Sequence, residues 1–174
     1  MNEFNYYRPT TGAQVLRAAP PGTAMFLYSD LASDPRPPED VLMDRMARNN
    51  IILYQDPHKM NSGHWTSLSF KPETREAYFF SSYGGMPDRE KMRWLKKKDL
   101  RRSGQARNVI NDGLKYLARN GWTVHYNDHP YQIEGDDTAT CGIWSTAFLN
   151  SGLNPDEFYE VHEPVERYFE RYFK

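Results

Sequence analysis

Apolar positions come in short blocks between Asn50 and Tyr83, cut by turn residues. The block IILY at 51–54 is apolar and β-branched. GHWTSLSF at 63–70 alternates, with Trp65, Ser67 and Ser69 on one side and His64, Thr66, Leu68 and Phe70 on the other. Lys71-Pro72-Glu73-Thr74 reads as a turn, EAYFFSSY at 76–83 as the next strand and Gly84-Gly85 as its end, so an antiparallel hairpin is expected. The period then changes. Pro87 and Asp88 are expected to start a short helix holding Met92 and Leu95. Ser103 reads as the N-cap of a long helix to Asn120, with Ile110, Leu114 and Leu117 as its buried stripe. WTVHY at 122–126 is a further strand, followed by a polar loop. A mostly apolar helix runs from Cys141 through Leu149 and is stopped at Gly152. Asn154-Pro155 opens a short helix, and Val165, Tyr168, Phe169, Tyr172 and Phe173 repeat at helical spacing to the end of the chain.

The first 38 residues break this regularity. Pro9, Pro20, Pro21, Pro35, Pro37 and Pro38 interrupt any long element, so an irregular arm laid over the domain is expected, with a short strand or helical turn at 24–31. Pro38-Glu39-Asp40 suits the first turn of a helix that carries Leu42 and Met46 and ends at Asn49-Asn50. The pattern predicts a single α+β domain over 1–174: arm 1–38, core 51–150 and C-terminal helices 154–174. A small mixed, mainly antiparallel sheet packs on the central helix that starts at Cys141.

Composition changes this picture in three ways. The 174 residues suffice for one core, and a net charge of −1 argues for no particular partner. Aromatics make up 14% of the chain, which suits both a dense core and a groove that grips peptide. The single cysteine, Cys141, allows no internal disulfide, so a reducing compartment is the default. No apolar run approaches a membrane span and the N-terminus lacks a signal-peptide pattern, so an intracellular protein is expected. No Cys/His cluster has zinc spacing and no glycine loop has phosphate-binding form, so neither metal nor cofactor is expected.

Cys141 carries the candidate chemistry. At the first turn of a helix, unpaired backbone N–H groups favour an anion, hence the nucleophilic thiolate over the thiol. A lone cysteine is more often a small buried hydrophobe, so catalysis needs a base and an oxyanion donor from elsewhere. His64 and His125 lie on strands; His58, His129 and His162 lie in loops. His64, at the start of a strand and beside Trp65, can face the helix N-terminus and form a thiolate–imidazolium couple; its alternative is a half-exposed strand residue. Gln132 offers an amide N–H that, with the Cys141 backbone N–H, can stabilise an oxyanion.

The order His64-Trp65, an aromatic strand ending Ser82-Tyr83-Gly84, Gln132, then Cys141-Gly142 resembles the adenovirus endopeptidase and SUMO-protease superfamily. The motif YQ…DDTATCG is similar in style to maturation proteases of large DNA viruses and virophages. The likeness spans about residues 51–150. It implies thiol hydrolysis of peptide bonds, often after glycine pairs, with Cys141 as nucleophile, His64 as base, Gln132 as oxyanion donor, and Trp65 and Gly142 at the substrate channel. The family's acidic orienter falls at Ser81, which carries no charge. A serine hydroxyl there accepts from His64 Nδ1–H and fixes the tautomer without stabilising imidazolium; Asp56 is a candidate substitute. Gln132 also lies farther from the cysteine than in other members, and the intervening Asp136 and Asp137 oppose thiolate formation unless they face solvent.

The resemblance implies a viral cysteine endopeptidase that processes capsid or other structural precursors at glycine-containing sites, in the virion and the host cytoplasm. A ubiquitin-like-modifier deconjugase is the alternative within the class, and a catalytically weakened virion structural or binding protein is the alternative outside it. The basic run 89–107 is a candidate contact for a DNA or peptide activator. Its plainer reading is a solvated helix face, which the near-neutral overall charge favours.

Overall fold

The computed structural model describes residues 3–89, 91, 95–132 and 139–174. The fold is α+β, with a five-stranded mixed sheet and eight helices among the described residues. In chain order the elements are α1 (Gly12–Ala18), β1 (Ala24–Leu27), α2 (Tyr28–Ala32), α3 (Pro38–Arg45), β2 (Asn49–Asp56), β3 (Lys59–Lys71), β4 (Glu76–Ser81), α4 (Lys97–Arg102), α5 (Val109–Arg119), β5 (Thr123–Tyr126), α6 (Cys141–Ser151), α7 (Pro155–Val161) and α8 (Val165–Tyr172). The strands lie side by side in chain order. β2–β3–β4 is an antiparallel meander, and β1 and β5 flank it in parallel. Antiparallel pairing is therefore the centre of the sheet and parallel pairing its two margins.

Both faces of the sheet are covered, which explains why β2 reads as a continuous apolar run rather than an alternation. Ile51, Leu53, Trp65, Tyr78 and Phe80 face one layer, where they meet Trp144, Phe148, Phe158 and Tyr168 from α6, α7 and α8. Ile52, Tyr54, Leu68, Phe70 and Phe79 face the other, against Tyr28, Leu42, Ile110, Leu114 and Leu117 from α2, α3 and α5. α6 is buried from Cys141 through Leu149, as befits a helix apolar on every side. It ends at Gly152 in the left-handed conformation. On β3 the small residues Ser67 and Ser69 lie on the α6 face, and Ser145 Oγ donates to the Trp65 carbonyl at 3.1 Å, tying helix to strand.

Several boundaries differ from those the sequence predicts. The arm is more ordered than expected: Thr11 and Gln14 form a capping box that starts α1, and 24–31 is both strand and helix in succession. α3 ends at Arg45, because Asn49 and Asn50 belong to β2 and the buried Asn50 amide binds both the N–H and the C=O of Ala47. Ser103 closes α4 rather than opening the long helix, and Asn108 is the N-cap of α5. The Ser103 hydroxyl is committed to Asp99 O and Leu100 O. Asp88, expected in a helical first turn, has φ 66 and a fully buried carboxyl bound by Tyr54 Oη–H at 2.6 Å and Asn111 N–H at 2.8 Å. Met92, Asp136 and Asp137 lie outside the described residues. No described helix is long and apolar enough to cross a membrane.

Candidate active site

Cys141 is the first residue of α6, and its N-cap residue Thr140 makes no side-chain cap hydrogen bond. Its sulfur accepts the Trp65 backbone N–H at 3.5 Å. β4 ends at Ser81, opposite Thr66, so on that side of β3 no strand among the described residues continues beyond the pair, and the Trp65 amide is left to meet the sulfur. An N–H donor and the positive end of a helix both favour thiolate. The Trp65 amide is bonded to the His64 carbonyl carbon, so the sulfur is within about 6 Å of the His64 Cα.

His64 and Ser81 are diagonal neighbours across the β3–β4 ladder, and His64 Nε2 is 3.0 Å from Ser81 Oγ. The sequence placed this contact on Nδ1; the strand geometry puts it on Nε2. Tyr83 N–H also reaches Ser81 Oγ at 3.3 Å. Donation of Nε2–H to the same oxygen leaves Nδ1 as the basic nitrogen, a tautomer assigned from the hydrogen-bond network. Tyr83 stacks on the imidazole with ring centroids 4.2 Å apart and fixes its plane. Asn127 locks the strand end: its Oδ1 accepts Ser81 N–H at 3.0 Å and its Nδ2 donates to Ser81 O at 2.6 Å. Asp56 is exposed and accepts the His58 N–H.

Gln132 is buried just behind the helix start. Its Oε1 accepts from Ser82 Oγ at 2.7 Å and from Thr140 Oγ1 at 3.4 Å, and Thr140 immediately precedes Cys141. With the amide oxygen held there, the NH2 end is the one presented away from those hydroxyls. The Tyr131 and Gln132 backbone N–H groups both donate to Ser82 O, so the turn after β4 carries the glutamine.

Cys141, His64 and Trp65 line one open groove of about 680 Å³, within the usual range of ligand clefts. Tyr7, Pro9 and Thr10 of the N-terminal arm line it as well. Gly142 sits under that arm: a Cβ there would lie 2.1 Å from Thr10 Oγ1 and 3.0 Å from Val15 Cγ2. Its requirement for glycine therefore comes from the arm. His125 is remote from this constellation, beside Glu76 at 3.8 Å. Among the described residues no group of three His, Cys, Asp or Glu is arranged for a metal ion.

Burial pushes the His64 pKa down from its ordinary 6.5 to about 3. The resting imidazole is therefore neutral at pH 7, in contrast to the ion pair expected from the sequence. The unfolded chain binds a proton at this histidine between pH 6.5 and 3 and the folded chain does not, so stability falls as pH drops through that window. The slope is about 1.4 kcal/mol per pH unit. Urea midpoints measured at pH 6.5 and 4.5 should reveal a loss of about 2 kcal/mol that His64→Asn lacks. A wild-type stability no more acid-sensitive than the variant's would contradict the buried neutral histidine.

The roles of Asn127, Tyr83 and Thr10 were not visible in the sequence. Asn127 follows a strand as turn residues do, and nothing in its spacing points back to Ser81. No family model matches the chain, and no curated protein is significantly similar to it.

Proposed function

We propose that the chain is a cysteine endopeptidase of the adenovirus-endopeptidase and SUMO-protease type, acting on capsid or other structural precursors of a DNA virus in the virion and the host cytoplasm. The observation that carries this reading is the sulfur on the Trp65 amide, one residue from a histidine held by Ser81, with Cys141, Trp65 and His64 on one groove. In the reaction, His64 Nδ1 takes the thiol proton as Sγ attacks the substrate carbonyl carbon. The oxyanion is met by the Cys141 N–H and the Gln132 NH2. Collapse expels the amine, which leaves with the proton from His64. Water, deprotonated by the same imidazole, then hydrolyses the thioester. Trp65 and the open β3 edge receive an extended chain with little side-chain bulk near the sulfur, which suits glycine.

Ser81 and the low His64 pKa favour a second reading, a catalytically weakened virion structural or binding protein. A Cys–His pair without a carboxylate still has the intrinsically strong thiol nucleophile, so we place hydrolysis first. Incubation with candidate capsid precursors, followed by intact mass measurement, separates the readings. Discrete products that vanish with Cys141→Ala support the protease, whereas precursors left whole by wild-type protein support the structural role. Cleavage only of a folded ubiquitin-like fusion would make it a deconjugase.

A further inference from the structure

Four contacts fasten the N-terminal arm beside the sulfur. Phe4 packs on Phe169 of α8 with centroids 5.3 Å apart, and Tyr6 O accepts the Ala139 N–H, two residues before Cys141. Thr10 O accepts Trp65 Nε1–H at 3.3 Å, and the Thr10 side chain closes over Gly142. The arm lines the groove without filling it, since the cleft beside it stays open. A tight turn at Asn5–Arg8, set by the Asn5 side chain accepting the Tyr7 N–H, throws Tyr7 outward at the rim with 67% of its surface exposed. Among the described residues no hydrogen bond engages the Pro9 carbonyl or the Thr10 amide. The arm lines the cleft and carries an unengaged amide N–H at Thr10, a donor that the carbonyl of a bound peptide can meet.

We propose that the arm segment Tyr7–Thr10 is a substrate-binding wall: an extended peptide lies between it and β3, a carbonyl of that peptide accepts from the Thr10 amide, and the Tyr7 ring grips one of its side chains. This rests on the thiol-protease reading. It makes Tyr7 a specificity-determining residue, distinct from the groups that act on the scissile bond.

Two reagents separate the claims. Iodoacetamide needs only the sulfur, whereas a short peptidyl vinyl sulfone ending in two glycines needs the groove as well. Tyr7→Ala should lower the second-order rate of Cys141 modification by the peptidyl reagent about fivefold, the worth of one aromatic contact. Alkylation by iodoacetamide should stay within about twofold, and Tyr7→Phe should keep the peptidyl rate. Unchanged rates with both reagents, or an equal fall with both, would overturn the wall while leaving the thiol chemistry intact. Wild-type protein that iodoacetamide modifies and the peptidyl reagent does not would overturn the peptide groove. Failure of both reagents on wild type would overturn the protease reading itself.

Discussion

Phe148→Ala is expected to lower the unfolding free energy by about 3–5 kcal/mol, the range for a buried aromatic truncated to alanine. Phe148 is 1% exposed, stacked on Phe80 with centroids 4.8 Å apart and edge-on to Phe158 at 5.6 Å. Phe80 is on the sheet and Phe158 on α7, so this ring joins α6 to the sheet and to α7. The same helix begins at Cys141, two turns earlier, and the cavity left by truncation loosens the element that aims the sulfur. Stability of a domain this size is about 5–15 kcal/mol, so the variant should retain only a fraction of it. Denaturant unfolding measures the difference, with Tyr116→Ala as the control, since that ring is 44% exposed on α5. The control should shift by no more than about 0.5 kcal/mol. A Phe148→Ala loss no larger than the control's would mean that the aromatic stack does not hold α6.

The central hairpin and the cysteine helix were legible because their patterns are local. IILY, the alternation at 63–70 and the apolar run after Cys141 each encode one element with one buried environment. The second helical layer was less legible. Two-sided burial of β2 shows as apolar content, and content does not say which helix lies on which face. Ser103 misled because a serine ending α4 and a serine opening α5 look alike in sequence, the difference being which carbonyls its hydroxyl meets. Within the site, Cys141, His64, Gln132 and Ser81 were found by residue type and order. The atoms that join them were not: Ser81 meets Nε2, Gln132 is held through its oxygen, and the Trp65 amide is what reaches the sulfur. The His64 pKa was also out of reach, because it depends on burial supplied by residues distant in the chain. The arm was expected to lie over the domain; its fastening beside the cysteine depends on Tyr6, Thr10 and Gly142 meeting in space.

His64→Ala is the second large effect. Removal of a positioned general base typically costs about 10²–10⁴ in rate. Among the described residues no other base stands in for it: Ser81 and Tyr83 orient the ring and take no proton from sulfur at neutral pH, and Asp56 is committed to the His58 N–H. The fold should tolerate the change near neutral pH, because the imidazole is already uncharged there and, among the described residues, it meets the Ser81 hydroxyl and the Tyr83 ring. A neutral resting histidine also predicts that the acid limb of the kcat/KM profile lies well below pH 6, displaced toward about 3.

The most direct measurement needs no substrate: the rate of Cys141 alkylation by iodoacetamide at pH 7, wild type against His64→Ala, with folding of both checked by circular dichroism. Cooperation between the sulfur and the imidazole predicts modification of the wild-type sulfur and a fall of about tenfold or more in the variant. Equal rates in the two proteins would show that the histidine does not act on the thiol, and would leave Cys141 as a packed side chain at the head of a buried helix.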